Sequence, residues 1–171
     1  MAHLLRLSVK PKTPGEYGLP KQAVDQLDIS PDGAAGDYNN YRTRTLKGDP
    51  DQAIMMLTDD VIQQLRAEGW PVQPGDFGEN LTLGGVREGE LGVGCRVQVG
   101  AVILEISKPC DPCTELGVLP YVGKARSAEF IKTTRGRRGW YARVLAPGSV
   151  RLDTPVLVRP ASPPAPVPSV P

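Results

Sequence analysis

A chain of 171 residues that is 40% hydrophobic sits in the single-domain range and is long enough to bury one core. Twenty Lys plus Arg against nineteen Asp plus Glu leave a net charge of +1, so no global field recommends nucleic acid or an anionic membrane as a partner. No stretch approaches the roughly twenty apolar residues that cross a bilayer, and the first residues do not read as a secretory leader, so a cytoplasmic location is expected.

In chain order, Leu5, Leu7 and Val9 alternate with Arg6, Ser8 and Lys10, the period of a strand with one buried face. Pro11 to Pro20 is too rich in Pro and Gly to continue it and reads as a loop. A second strand is expected from Gln22 to Ile29, followed by a turn at Ser30-Pro31-Asp32-Gly33. Gly36 to Arg44 is polar and aperiodic. Ala53 to Leu57 reads as a buried strand, and Thr58 then caps a helix with Asp59 and Asp60 in its positive first turn. Its apolar face is Val61, Ile62 and Leu65, and Gly69 and Pro71 end it. Strands follow at Leu81 to Leu83, Arg96 to Val99 and Val102 to Ser107, the last two joined by a Gly100-Ala101 hairpin. A helix over Ser127 to Thr134 precedes a final strand pair, Trp140 to Leu145 and Ser149 to Val158.

This pattern predicts a mainly β, α+β fold with about two helices, either a small barrel or a strongly bent mixed sheet. Pro160 to Pro171 is nearly all Pro, Ala, Ser and Val and is expected to be disordered or extended.

Three cysteines are an odd count, unsuited to a secreted disulfide framework. With His3 as the single histidine they also fall short of a closed structural zinc site. Cys110-Asp111-Pro112-Cys113 occupies a proline-shaped loop just past a buried strand, where a frame can present a thiol to a ligand. A thiolate there serves as nucleophile, persulfide carrier or soft metal ligand, and Lys108 lies near enough in sequence to favour it. The alternative is that both are small buried side chains. Thioredoxin-like chemistry is disfavoured, because prolines bracket Cys110 and no alternating β and α pattern surrounds the motif.

Gly75-Asp76-Phe77-Gly78-Glu79-Asn80 places two turn glycines, a carboxylate and an amide just before a strand. Those polar groups serve either a ligand or the turn itself. Arg135, Arg137 and Arg138 suit phosphate or carboxylate recognition, or else a solvated face; two neighbouring aromatics do not make a nucleic-acid platform.

Taken in order, Gly36-Asp37, Gly75 to Leu81, Lys108 to Cys113 and Arg138 to Leu145 resemble the stand-alone bacterial proteins of the MOSC family, named for the C-terminal domain of molybdenum-cofactor sulfurase. The resemblance runs from Leu4 to Val158, which suggests a MOSC domain over 1–159 and a Pro-rich tail over 160–171. It departs from the family where many relatives carry His-Gly-Gly, since Lys47-Gly48-Asp49-Pro50-Asp51 stands there.

The resemblance implies a barrel-like β fold with peripheral helices. It also implies molybdenum cofactor, a pterin dithiolene with a terminal phosphate. It places the family cysteine, a molybdenum ligand or sulfur carrier, at Cys113, with Cys110 as the secondary candidate. Gly36, Asp37, Arg42, Gly78, Glu79, Asn80, Lys108, Arg138 and Tyr141 would contact the cofactor, Arg and Lys suiting its phosphate. The expected activity is reduction of N-hydroxylated small molecules, such as hydroxylamino bases or amidoximes, with an electron-donor protein as partner. Two other readings remain. One is a sulfur carrier loaded by a pyridoxal-phosphate cysteine desulfurase, and the other is a non-catalytic cofactor-binding module.

Overall fold

The computed structural model describes residues 1–161, so all but the first two residues of the expected Pro-rich tail lie outside the described residues. In chain order the elements are β1 (His3–Val9), β2 (Gln22–Val24), β3 (Gln26–Ser30), β4 (Gly33–Ala34), α1 (Asn40–Arg44), β5 (Ile54–Thr58), α2 (Asp59–Ala67) and β6 (Leu81–Gly84). There follow β7 (Arg96–Val99), β8 (Val102–Pro109), α3 (Gly123–Thr134), β9 (Trp140–Ala146), β10 (Gly148–Arg151) and β11 (Val156–Arg159). This is the expected mixed α+β architecture.

Eight strands form one sheet in the order β11-β7-β8-β9-β5-β6-β1-β2, and a second sheet runs β10-β3-β4. Only β5 and β6 pair in parallel among the described strands, and α2 makes the crossover between them. The large sheet is not closed into a barrel. A single bridge, His3 opposite Pro155, links the start of β1 to the residue before β11. The Leu4 N–H donates to the Thr154 carbonyl and the Val156 N–H to the Ala2 carbonyl on either side of it, but the contact does not extend into a ladder, so a seam remains where a closed barrel was one of the expectations.

Two expected strands each divide. Gln22 to Ile29 breaks at Asp25 into β2, which pairs with β1, and β3, which pairs with β10 in the smaller sheet. Ser149 to Val158 likewise divides into β10 and β11, turning through Asp153 at φ 63°. At Asp25 the buried phase shifts by one residue, from Val24 to Leu27 and Ile29, while near Asp153 it is kept from Val150 to Val156, so alternation alone marks the change of sheet poorly. The aperiodic Gly36 to Arg44 stretch contains the short α1, capped by the Asn39 side chain. The helix expected from Ser127 begins earlier, at Gly123. The α2 reading holds: the Thr58 hydroxyl accepts from the Val61 N–H, and Val61, Ile62 and Leu65 are buried.

Two apolar cores result. The first packs between the sheets around Leu4, Leu7, Ile54, Met56, Leu81 and Leu104. The second lies under α2 and α3, where Phe130 sits 4.6 Å from the Trp70 ring centroid and 5.8 Å from that of Phe77. Phe77 and Cys110 both belong to this second core, so it fixes the turn before β6 and the loop after β8.

Gly139 joins these parts at the start of β9. Its φ is +92°, a Cβ there would strike the Met56 carbonyl oxygen, and its own carbonyl accepts from the Cys110 N–H at 2.9 Å. Gly139→Ala is therefore expected to destabilise the domain by about 3 kcal/mol in urea unfolding. A loss below about 0.5 kcal/mol would contradict this packing.

Candidate functional site

The loop after β8 forms one wall of a cavity of about 550 Å³, with Leu19, Lys21 and Tyr38 opposite and Met55, Phe77 and Tyr141 between. Cys113 is half-buried in that wall. Its Sγ accepts a hydrogen bond from Arg138 Nη1 at 3.1 Å. Arg138 is only 7% exposed. The same Nη1 donates to the Asp111 carbonyl at 2.7 Å, and Nη2 donates to the Phe77 carbonyl at 3.3 Å. Burial works against the guanidinium charge, and negative charge on the neighbouring sulfurs, when present, favours it.

The two thiols of the loop differ. Cys110 is 2% exposed and packs in the second core, and burial pushes its thiol up, which keeps it neutral. Burial also pushes up the Tyr141 phenol beside it. Cys110 also lines the cavity but is the more buried thiol, and Cys113 is the more exposed of the two.

A smaller polar recess of about 100 Å³ adjoins the cavity and shares Lys21, Gln52, Gly78 and Tyr141 with it. Behind it Asp37 acts as a hub. Its Oδ2 accepts from Lys21 Nζ at 2.7 Å and Asn80 Nδ2 at 2.9 Å, and its Oδ1 accepts from the Lys10 N–H at 2.8 Å. Asn80 Oδ1 in turn accepts from the Met55 N–H at 3.2 Å. One carboxylate and one amide therefore tie the Gly36-Asp37 turn to the end of β1, to β5 and to the start of β6.

Of the residues expected at the site, Gly78, Lys108, Cys113, Arg138 and Tyr141 line the larger cavity, and Asp37, Arg42 and Asn80 line the recess. At Gly78 a Cβ would lie 2.7 Å from Leu19 Cδ2, so the glycine lets the two walls meet. Three of the expected residues have other partners or places in the fold. Gly36 lines neither space and only turns the chain at φ +78°. Glu79 is fully buried and pins the turn, accepting from the Gly75 N–H at 2.5 Å and from Thr82 Oγ1 at 3.0 Å. Arg42 has its guanidinium occupied by the carbonyls of Pro31, Asp32, Gly48 and Asp49, so it clamps backbone and is not free for phosphate. Lys108 reaches Asp49 at 3.3 Å; a hydrogen bond from the Asp51 N–H, aided by Lys108, holds the Asp49 carboxyl below its usual range.

Sequence reasoning missed Leu19, Lys21, Tyr38, Gln52 and Met55. They come from segments read only as loop, strand start or core, and only the fold brings them together.

The MOSC domain family model matches residues 43–157, two thirds of the chain. The chain belongs to the MOSC domain family. Over 80 residues, 47% of this MOSC chain, it is 32% identical to Protein YiiM of Escherichia coli K12, and the aligned stretch spans 34% of that protein. The crystal structure of YiiM from Geobacillus stearothermophilus matches with a TM-score of 0.69 at 24% identity, covering 94% of this chain and 76% of that one. The YUAD protein of Bacillus subtilis matches with a TM-score of 0.70 at 18% identity, covering 92% and 96% respectively. At these identities the structural matches establish the shared fold.

The buried Glu79 gives this MOSC domain a definite pH response. Burial raises its carboxyl above the ordinary value of 4.5, so the native state keeps a proton that the unfolded chain has lost. Stability therefore falls as pH rises from 4.5 to the raised folded-state value, by up to about 1.4 kcal/mol per pH unit for one such group. Glu79→Gln is expected to reduce that slope in urea titrations taken at successive pH values. An unchanged slope would contradict the assignment.

Proposed function

We propose that this MOSC domain binds molybdenum cofactor with Cys113 as the protein ligand to molybdenum. In this reading it supports reduction of N-hydroxylated small molecules with electrons from a partner protein. The observation that carries the reading is the half-exposed Cys113 sulfur, held in the cavity wall by the buried Arg138 guanidinium. A thiolate is a soft ligand suited to a thiophilic metal, and a single open thiol suits a metal that arrives with dithiolene sulfurs of its own. The wall also fits a polar ring, since Gln52 Oε1 and Arg138 Nε are buried there without partners.

When bound, the cofactor supplies two-electron redox chemistry at its metal. The chain supplies position and hydrogen bonds. Arg138 holds the Cys113 sulfur at the wall, and its contacts to Asp111 and Phe77 lock the loop after β8 against the turn before β6. Converting an N-hydroxyl group to an amine and water consumes two electrons and two protons. Lys108 is half-exposed on the wall, and burial keeps the Tyr141 phenol protonated as a hydrogen-bond donor.

The same open sulfur favours a second reading, a carrier that takes a persulfide from a pyridoxal-phosphate cysteine desulfurase. Metal analysis after expression in a cofactor-competent host separates the two. The wild type is expected to carry molybdenum near one per chain, Cys110→Ala to keep it, and Cys113→Ala to lose it by about tenfold or more. Molybdenum absent from the wild type, or equally retained by Cys113→Ala, would overturn the metal-ligand reading. A gain of one sulfur on Cys113 in metal-free protein would then favour the carrier.

A further inference from the structure

Gln52 is the residue of the recess whose chemistry nothing in the protein satisfies. It ends the short 3-10 turn Pro50–Gln52, is 8% exposed, and lines both the cavity and the recess. Its Oε1 is buried without a partner, and no hydrogen bond from its amide nitrogen is found among the described residues. A buried carbonyl oxygen without a partner is costly, so its presence in a ligand-sized wall asks for a ligand that completes it. Its terminal torsion is soft, so either the oxygen or the nitrogen can turn to the recess.

The surrounding charges limit what that ligand offers. Lys21 is ion-paired with Asp37, and Arg42 is occupied by four backbone carbonyls. Neither cation is free to neutralise a phosphate. What remains is a neutral donor and acceptor on Gln52, together with the further donors of the Lys21 ammonium, beside flat apolar walls of Met55, Phe77 and Tyr141.

We infer that Gln52 recognises the lactam or amidine edge of a planar heterocycle seated in the larger cavity, its N–H meeting the amide oxygen and its acceptor meeting the amide nitrogen. This deepens the proposed function and rests on it for the identity of the ring, because the pterin of the cofactor and a hydroxylamino base both carry such an edge. The recognition itself is a property of the metal-free chain, so it can fail or stand separately from the Cys113 assignment.

The test is calorimetric titration of the full, metal-free chain with pterin, with hypoxanthine and, as the purine control, with 9-methylpurine, which has no ring N–H and so lacks the edge. The wild type is expected to bind pterin or hypoxanthine about tenfold or more tighter than 9-methylpurine. Gln52→Met, which keeps the side-chain length and removes both hydrogen-bonding atoms, is expected to abolish that preference and leave 9-methylpurine binding unchanged. A lost preference for pterin alone assigns the edge to the cofactor, one for hypoxanthine alone assigns it to the substrate, and either supports the inference. No preference in the wild type, or the same preference in Gln52→Met, would overturn it. The thermal midpoint gives a second reading: it should stay unchanged or rise by about 2–4 °C in Gln52→Met, since an unpaired buried carbonyl oxygen has been removed. A lowered midpoint would mark the amide as structural and overturn the inference.

Discussion

The guanidinium of Arg138 is the interaction on which the cavity depends. A buried charge is tolerated only when its donors find acceptors in good geometry. Here those acceptors are the Phe77 carbonyl, the Asp111 carbonyl and the Cys113 sulfur, drawn from the turn before β6 and the loop after β8. Pairing the two terminal nitrogens of one side chain therefore fixes two loops that are far apart in sequence, while its buried Nε stays without a partner. The close approach of Gly139 to Met56 sets where Arg138 enters, and the Cys110 N–H bond to the Gly139 carbonyl closes the arrangement from the other side.

A second polar unit, the Asp37 carboxylate with Lys21 and Asn80, does for the opposite wall what Arg138 does for this one. It is a buried pair with nearly every donor and acceptor matched, and it holds the end of β1, β5 and β6 in one register. The contrast with Gln52 is informative. In the hub, the Asp37 carboxylate and the Asn80 amide are answered by protein groups and only further donors of Lys21 remain, whereas Gln52 stands in the same recess with its side-chain oxygen unanswered. Polar side chains near a cavity thus divide into those that build its walls and those left for an occupant.

That division explains how far the sequence could be read. Periodicity identified α2, β7 and β8, because each keeps one period against one core, whereas β5 was legible as a continuous apolar run because it faces both cores. In β1 the expected Leu5, Leu7 and Val9 face held only for Leu7 and Val9: a register shift between Leu4 and Arg6 buries Leu4 and leaves Leu5 exposed. Periodicity merged β2 with β3 and β10 with β11, because the change of sheet at Asp25 shifts the buried phase by a single residue and that near Asp153 does not shift it at all. At the site, the Cys110 to Cys113 loop was legible from its position after a buried strand, but which thiol is open was not. Burial of Cys110 depends on Phe77, Leu116 and Phe130, which meet only in the folded chain. Glu79 and Arg42 were legible as polar residues in turns, yet their partners are backbone groups that no pattern displays. Lys21 and Gln52 carried no local signal, since their roles come from loops brought together by the sheets.

The account ties the accessible sulfur of Cys113, and not the buried sulfur of Cys110, to molybdenum. X-ray absorption at the molybdenum edge of the loaded protein tests this most directly. The account predicts one molybdenum–sulfur contribution beyond the dithiolene in the wild type, retained in Cys110→Ala and lost in Cys113→Ala at whatever residual metal that variant holds. The same contribution persisting in Cys113→Ala, or lost only in Cys110→Ala, would contradict it.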